Sequence, residues 1–149
     1  MQYYDVSAFD WGTSLNKIKL FYLLNRQYKK SKETKLQDGT AYVVYSVLPE
    51  ENRTEVIFRF RDSKLEDAVY RKTFDGNSGF SCFDFYLGRV KELSKRYGQP
   101  DVSEQDPKAK KANSTWRLPR TEIMCTLNKG KDDLLVCDVQ YKKRDGILT

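Results

Sequence analysis

Cys82, Cys125 and Cys137 are the strongest nucleophiles in a 149-residue chain that contains no histidine. A cysteine nucleophile needs a neighbouring base, and the usual base near neutral pH is missing. The three cysteines also lack the paired close spacing of a zinc site. The carboxylate pairs Glu50-Glu51 and Asp132-Asp133 fall in predicted turns, where acids are solvated rather than tuned for proton transfer. No glycine-rich phosphate loop and no Gly-x-Ser-x-Gly turn occurs. These residues point away from an enzyme and imply no cofactor and no metal.

Binding chemistry is better represented. Lysine and arginine number 27 against 21 acidic residues, for a net charge of +6 and a pI near 9.1. Such a balance admits nucleic acid, anionic lipid or an acidic partner. The basic residues gather at Lys29, Lys30 and Lys32, at Lys108, Lys110 and Lys111, and at Lys142-Lys143-Arg144. Ten tyrosines and eight phenylalanines could stack on bases, but most recur at strand or helix spacing and read as core. No apolar run reaches the roughly 18–20 residues of a membrane-spanning helix. The opening MQYYDVSAFDW lacks the basic-then-apolar order of a secretory signal. The triplets Asn52-Arg53-Thr54 and Asn113-Ser114-Thr115 matter only on a glycosylating route.

The elements that must position these groups follow from periodicity. Thr13 or Ser14 suits a helix N-cap, and Leu15, Ile18 and Tyr22 then share one stripe that Phe21 and Leu24 widen. The segment YKKSKETKLQDGT reads as a basic loop closing on Asp38-Gly39. Strands are predicted over 41–48, 54–61 and 65–74, the second alternating Val56, Phe58 and Phe60 with Ile57, Arg59 and Arg61. A second helix is predicted over 81–97, with a stripe of Phe83, Leu87, Val90 and Tyr97 flanked by Tyr86 and Leu93, ended by Gly98 and Pro100. DVSEQDPKAKKANS reads as a flexible loop, followed by strands over 114–118, 121–127 and 133–143.

The pattern repeats. A shift of sixty-seven residues places Ser14 on Ser81 and Arg53-Thr54-Glu55 on Arg120-Thr121-Glu122, and a shift of seventy-one pairs 67–72 with 138–143. The expectation is α+β: one domain over 1–149, duplicated internally over about 11–74 and 80–143. Three strands and one helix are marginal alone. Two such helix-strand-strand-strand units, edge to edge, would form one antiparallel sheet with both helices on one face.

The stretch FDWGTSLNKIKLFYLL, then VIFRFRDSKLEDAVYRKTF, LGRVKELSKRYGQP and Trp116, resembles in order the small bacterial envelope lipoprotein domains that open on Trp-Gly-Thr/Ser and a helix. The layout is similar to the outer-membrane-assembly lipoprotein fold and to the tandem-repeat beta-lactamase inhibitor proteins. The resemblance implies an extracytoplasmic binding or assembly module in the cell envelope or periplasm, without catalytic residues.

The open sheet face should carry Ile57, Arg59, Arg71, Met124, Leu134 and Val136, an aliphatic and basic mixture suited to a protein partner. A cytoplasmic nucleic-acid binder using the basic loops is the alternative. In the last hairpin, a turn near residue 131 sets Cys125 opposite Cys137 on the inward side. Two buried thiols packing as small hydrophobes is the preferred reading, because opposed Cβ atoms in a sheet stand somewhat far apart for a disulfide, while the oxidising compartment implied by the resemblance pushes toward a bridge.

Overall fold

The computed structural model describes residues 9–144. Two helices and eight strands run in the order α1 (Leu15–Leu23), β1 (Tyr28–Lys35), β2 (Thr40–Val47), β3 (Thr54–Arg61), β4 (Lys64–Phe74), α2 (Gly79–Tyr97), β5 (Val102–Asp106), β6 (Lys111–Arg117), β7 (Thr121–Lys129) and β8 (Leu135–Lys143). Hydrogen bonding orders the strands β1-β2-β3-β4-β8-β7-β6-β5 in one antiparallel sheet. The expected α+β class holds, but the expected six strands are eight. Contacts divide the chain into an N-terminal unit, Met1–Tyr70 with Tyr141–Lys143, and a C-terminal unit, Arg71–Gln140 with Arg144–Thr149.

In the N-terminal unit, Ser14 caps α1: its extended backbone lets the hydroxyl oxygen accept from the Lys17 amide at 3.2 Å. The residues before the helix are tied to the β3–β4 hairpin. The Gly12 amide donates to the Leu65 carbonyl at 3.0 Å, and the Leu65 amide to the Thr13 carbonyl at 2.9 Å. The helix stops early because the Asn25 side chain accepts from the Gln27 amide at 3.0 Å, a local turn that competes with the helix. Leu15, Ile18 and Tyr22 are buried, as their spacing predicts. They meet the alternating apolar sides of β2 and β3, where Val43 pairs with Phe58 and Tyr45 with Val56. Tyr22 stacks on Tyr45 with ring centres 4.3 Å apart and lies 5.3 Å from Phe58.

The basic loop expected over 28–40 is instead mostly a strand. β1 holds a single apolar residue, so period two is invisible in it, yet it pairs along β2 from Tyr28–Val47 to Lys35–Ala41. The register shifts between Lys30 and Lys32, and the Ser31 hydroxyl donates to the Val44 carbonyl at 3.2 Å.

In the C-terminal unit, α2 starts two residues earlier than predicted, at Gly79, and the preceding Ser78 makes no side-chain capping bond, unlike Ser14 of α1. It ends where Gly98 takes φ +84. Its buried line is Cys82, Tyr86, Arg89 and Leu93. The predicted stripe is therefore rotated, with Leu87 exposed and Phe83, Val90 and Tyr97 half-buried. The reason is chemical: a thiol and a long arginine stem fill positions that a search for aliphatic side chains passes over. Tyr86 exchanges a 2.7 Å hydrogen bond with Ser114, and Trp116 Nε1 donates to the Gly98 carbonyl at 2.8 Å. The predicted flexible loop after Pro100 contains β5 and the start of β6, paired from Val102–Thr115 to Asp106–Lys111. Polar residues on both sides of β5 hid it from a search for alternation. β6 and β7 then pair Ser114 with Cys125 and Trp116 with Ile123.

Candidate protein-contact surface

Three apolar residues of the nine-residue α1 and its C-cap leucine remain in solvent: Leu20 at 56% exposure, Phe21 at 49%, Leu23 at 79% and Leu24 at 75%. The stripe reading had counted Phe21 and Leu24 with the buried side. A helix apolar on nearly every side signals a second surface to cover, and that signal was present in the sequence. Beside these residues α1 and β1 border a cleft of about 470 Å³, with Tyr22, Tyr28 and Tyr45 as its aromatic lining, Leu20 and Leu23 along one wall, and Lys30 at its edge. Glu33 binds Lys19 at 3.0 Å and Lys30 at 3.1 Å. Hydrogen bonds from these two lysines hold its carboxyl below the usual range. Burial raises the Tyr45 hydroxyl to about 12, and burial foremost, with Tyr28 and Tyr45 nearby, pushes Tyr22 higher still. The Tyr22 and Tyr45 hydroxyls of the cleft thus stay protonated at neutral pH, with Lys19 and Lys30 beside them in the lining.

The residues expected on an open sheet face fall in both units. In the N-terminal unit, Ile57 is half-buried, and Arg59 lies 3.7 Å from Glu66 and 3.6 Å from Asp67. In the C-terminal unit, Met124, Leu134 and Val136 are half-buried, the first and last between inward neighbours on their strands. Arg71 forms a two-pronged pair with Asp138, Nε to Oδ1 at 2.8 Å and Nη2 to Oδ2 at 3.0 Å. Arg59 and Arg71 are therefore not lone charges on an open face: each belongs to an ion pair between part-buried groups.

Lys29, Lys30 and Lys32 lie on β1 rather than in a loop. Lys29 pairs with Glu50 at 3.2 Å. Lys108 and Lys110 lie in the turn before β6, which Lys111 begins. Lys110 donates to the Gly76 carbonyl at 3.3 Å, so it staples a loop rather than facing solvent alone. A second apolar hollow, of about 370 Å³, lies among Phe80, Phe83, Pro107, Leu127 and Leu135.

The cysteines form a closed group in the C-terminal unit. All three are free and buried. Cys125 and Cys137 are hydrogen-bonded free thiols and no bridge joins them. The bonds from the Gly130 amide to the Leu134 carbonyl and from the Arg144 amide to the Arg120 carbonyl centre the hairpin near residue 132 rather than 131, so the two cysteines share a face as diagonal neighbours and the expected direct opposition is corrected. That hydrogen bond, reinforced by burial, drives the Cys137 thiol far above its ordinary value. Burial, then the neighbouring Cys137, pushes Cys82 up to about 12. Thiols so protonated and so covered are core atoms. Arg89 lies over the Phe85 ring at 5.2 Å. Among the described residues, no cluster of three cysteine or acidic side chains could hold a metal ion. The chain matches no protein family, no curated protein and no solved structure.

Proposed function

We propose that this chain is a non-enzymatic protein-binding or assembly module of the bacterial cell envelope, and that it arose by duplication of a unit of one helix and four strands. The observation that carries the binding reading is the exposed Leu20, Phe21, Leu23 and Leu24 beside an aromatic cleft. Exposed apolar side chains gathered on one short helix mark a contact surface far more often than a chance distribution does. The half-buried Met124, Leu134 and Val136 of the C-terminal unit, and Ile57 of the N-terminal unit, add further apolar area to the same reading. Burial and raised thiol pKa values support the non-enzymatic part. The envelope assignment rests on the resemblance of FDWGTSLNKIKLFYLL and the later segments. The duplication is supported by the repeated element order and by matching buried positions: Val56, Phe58 and Phe60 of β3 against Ile123, Cys125 and Leu127 of β7.

The test is cross-linking of the wild-type protein and of a Leu23→Asp, Leu24→Asp variant in envelope extracts, with the cross-linked protein identified by mass. The expected result is one partner captured by the wild type and lost in the variant at unchanged melting temperature. Steeply salt-dependent binding to single-stranded nucleic acid in a gel-shift titration would favour the basic-surface alternative instead.

A further inference from the structure

We propose that the outer edge of β1 binds an extended acidic segment of a partner protein by strand addition, with the segment's apolar side chains seated toward the α1–β1 cleft. This rests on the protein-binding reading above and names the chemistry of its ligand. Among the described residues β1 stands at the end of the strand order and pairs with β2 alone, so alternate backbone N–H and C=O groups along it point outward. An added strand satisfies such a row, and its side chains then supply specificity.

The register along β2 sorts the side chains of β1 by face. Tyr28, Lys30, Glu33 and Lys35 pair with Val47, Tyr45, Val43 and Ala41, all buried, and so share the α1 side. Lys29, Lys32 and Thr34 pair with Ser46, Val44 and Tyr42 and share the opposite side. A peptide strand beside β1 would alternate in the same way. On one side its residues would reach the cleft wall of Leu20 and Leu23. On the other they would meet Lys29 and Lys32.

Charge selects the acidic partner. The eight residues of β1 hold four lysines and one glutamate. Glu33 already engages Lys30, and Glu50 engages Lys29, but Lys32 and Lys35 have no ion pair among the described residues. A second copy of this basic edge would be repelled, and so would a basic peptide. The chain's net charge of +6 adds long-range attraction for an acidic ligand. The bulge between Lys30 and Lys32 divides the edge into a 28–30 stretch, of which Tyr28 and Lys30 line the cleft, and a regular 32–35 stretch beyond it that carries Lys32 and Lys35.

The probe is a fluorescein-labelled decapeptide of alternating glutamate and leucine, read by anisotropy and by amide shifts in a ¹⁵N-labelled protein. Saturable binding with shifts over residues 28–35 is expected. Affinity should fall by about tenfold or more for the lysine-leucine counterpart, for a peptide N-methylated at alternate residues, and for a Lys32→Glu, Lys35→Glu variant. Equal affinity for the acidic and basic peptides, or shifts confined to the C-terminal unit, would overturn the proposal. Displacement of the peptide from β1 by a thymidine oligonucleotide at equal concentration would overturn it too, as a nucleic-acid contact. If the acidic peptide fails to bind while Leu23→Asp, Leu24→Asp still abolishes partner capture, the strand-addition proposal falls and the protein-binding reading stands. If neither the peptide nor the aspartate variant has an effect, both fall.

Discussion

In the N-terminal unit, α1 buries Leu15, Ile18 and Tyr22 and, with its C-cap leucine, leaves four large apolar side chains outside. In the C-terminal unit, α2 is twice as long and turns Lys91, Glu92, Lys95 and Arg96 to solvent, with Phe80 exposed at its start. The cores differ in the same direction. Tyr22, Tyr45, Phe58 and Phe60 fill one with rings, while Cys82, Cys125, Cys137 and Arg89 thread small and polar atoms through the other. The same element order therefore supports two divisions of labour. A nine-residue helix has too few positions to be both core and polar cover, and α1 stays on the sheet through its aromatic contacts. A nineteen-residue helix completes both tasks, and in its core Cys125 and Cys137 hydrogen-bond to each other while the Arg89 guanidinium lies over the Phe85 ring.

This contrast can be broken by mutation. The largest effect is expected for Phe58→Ala, which opens a hole beside the rings of Phe9, Tyr22, Tyr45 and Phe60 and should cost about 3–5 kcal/mol in urea unfolding. The equivalent position of the other unit, Cys125→Ala, should cost only about 1 kcal/mol. Equal losses would mean that the aromatic core is not the stronger of the two. Next comes Gly76→Ala. A Cβ at Gly76 would overlap the Asp133 carbonyl, which is backbone and cannot swing aside, so about 1–3 kcal/mol should be lost. Arg71→Ala should cost about 1–2 kcal/mol by breaking a bidentate pair whose members are part-exposed, against less than about 1 kcal/mol for Arg59→Ala, whose contacts are longer. Chemical denaturation of the two variants side by side decides the order.

A pH titration sharpens the same contrast. Burial raises Cys82 from 9.0, and Tyr45 and Tyr86 from 10.0, to about 12. The folded state therefore keeps protons that the unfolded chain releases. That stability is fully present below pH 9, declines as the unfolded groups ionise, and is lost as pH rises to about 12. The thiol share should begin to fail first, at pH 9–10, and a Cys82→Ala variant should flatten that early part of the decline alone. An identical decline in the variant would remove Cys82 from the account.

Legibility followed the apolar pattern. The bounds of β3 match the predicted 54–61 because Val56, Phe58 and Phe60 alternate cleanly. The shared inward face of Cys125 and Cys137 could be counted from one hairpin, but not its register, which a turn centred one residue later shifts. The edge strands β1 and β5 escaped, since their pairing is made by backbone groups and their side chains are almost all polar. The cleft escaped with them, because Tyr28 and Lys30 of its lining stand on β1. The exposed leucines of α1 were visible as residues but not as surface: a stripe drawn wide enough to include Phe21 and Leu24 hides that only one side of a helix can be buried against a sheet.

The central claim is that α1 is a contact surface as well as a core helix. Its most direct measurement pairs thermal unfolding with partner cross-linking for Leu23→Asp, Leu24→Asp. Two exposed positions should change stability by no more than about 0.5 kcal/mol each. The account predicts an unchanged melt and loss of the cross-linked partner. A destabilised protein, or undiminished capture at an unchanged melt, would contradict it.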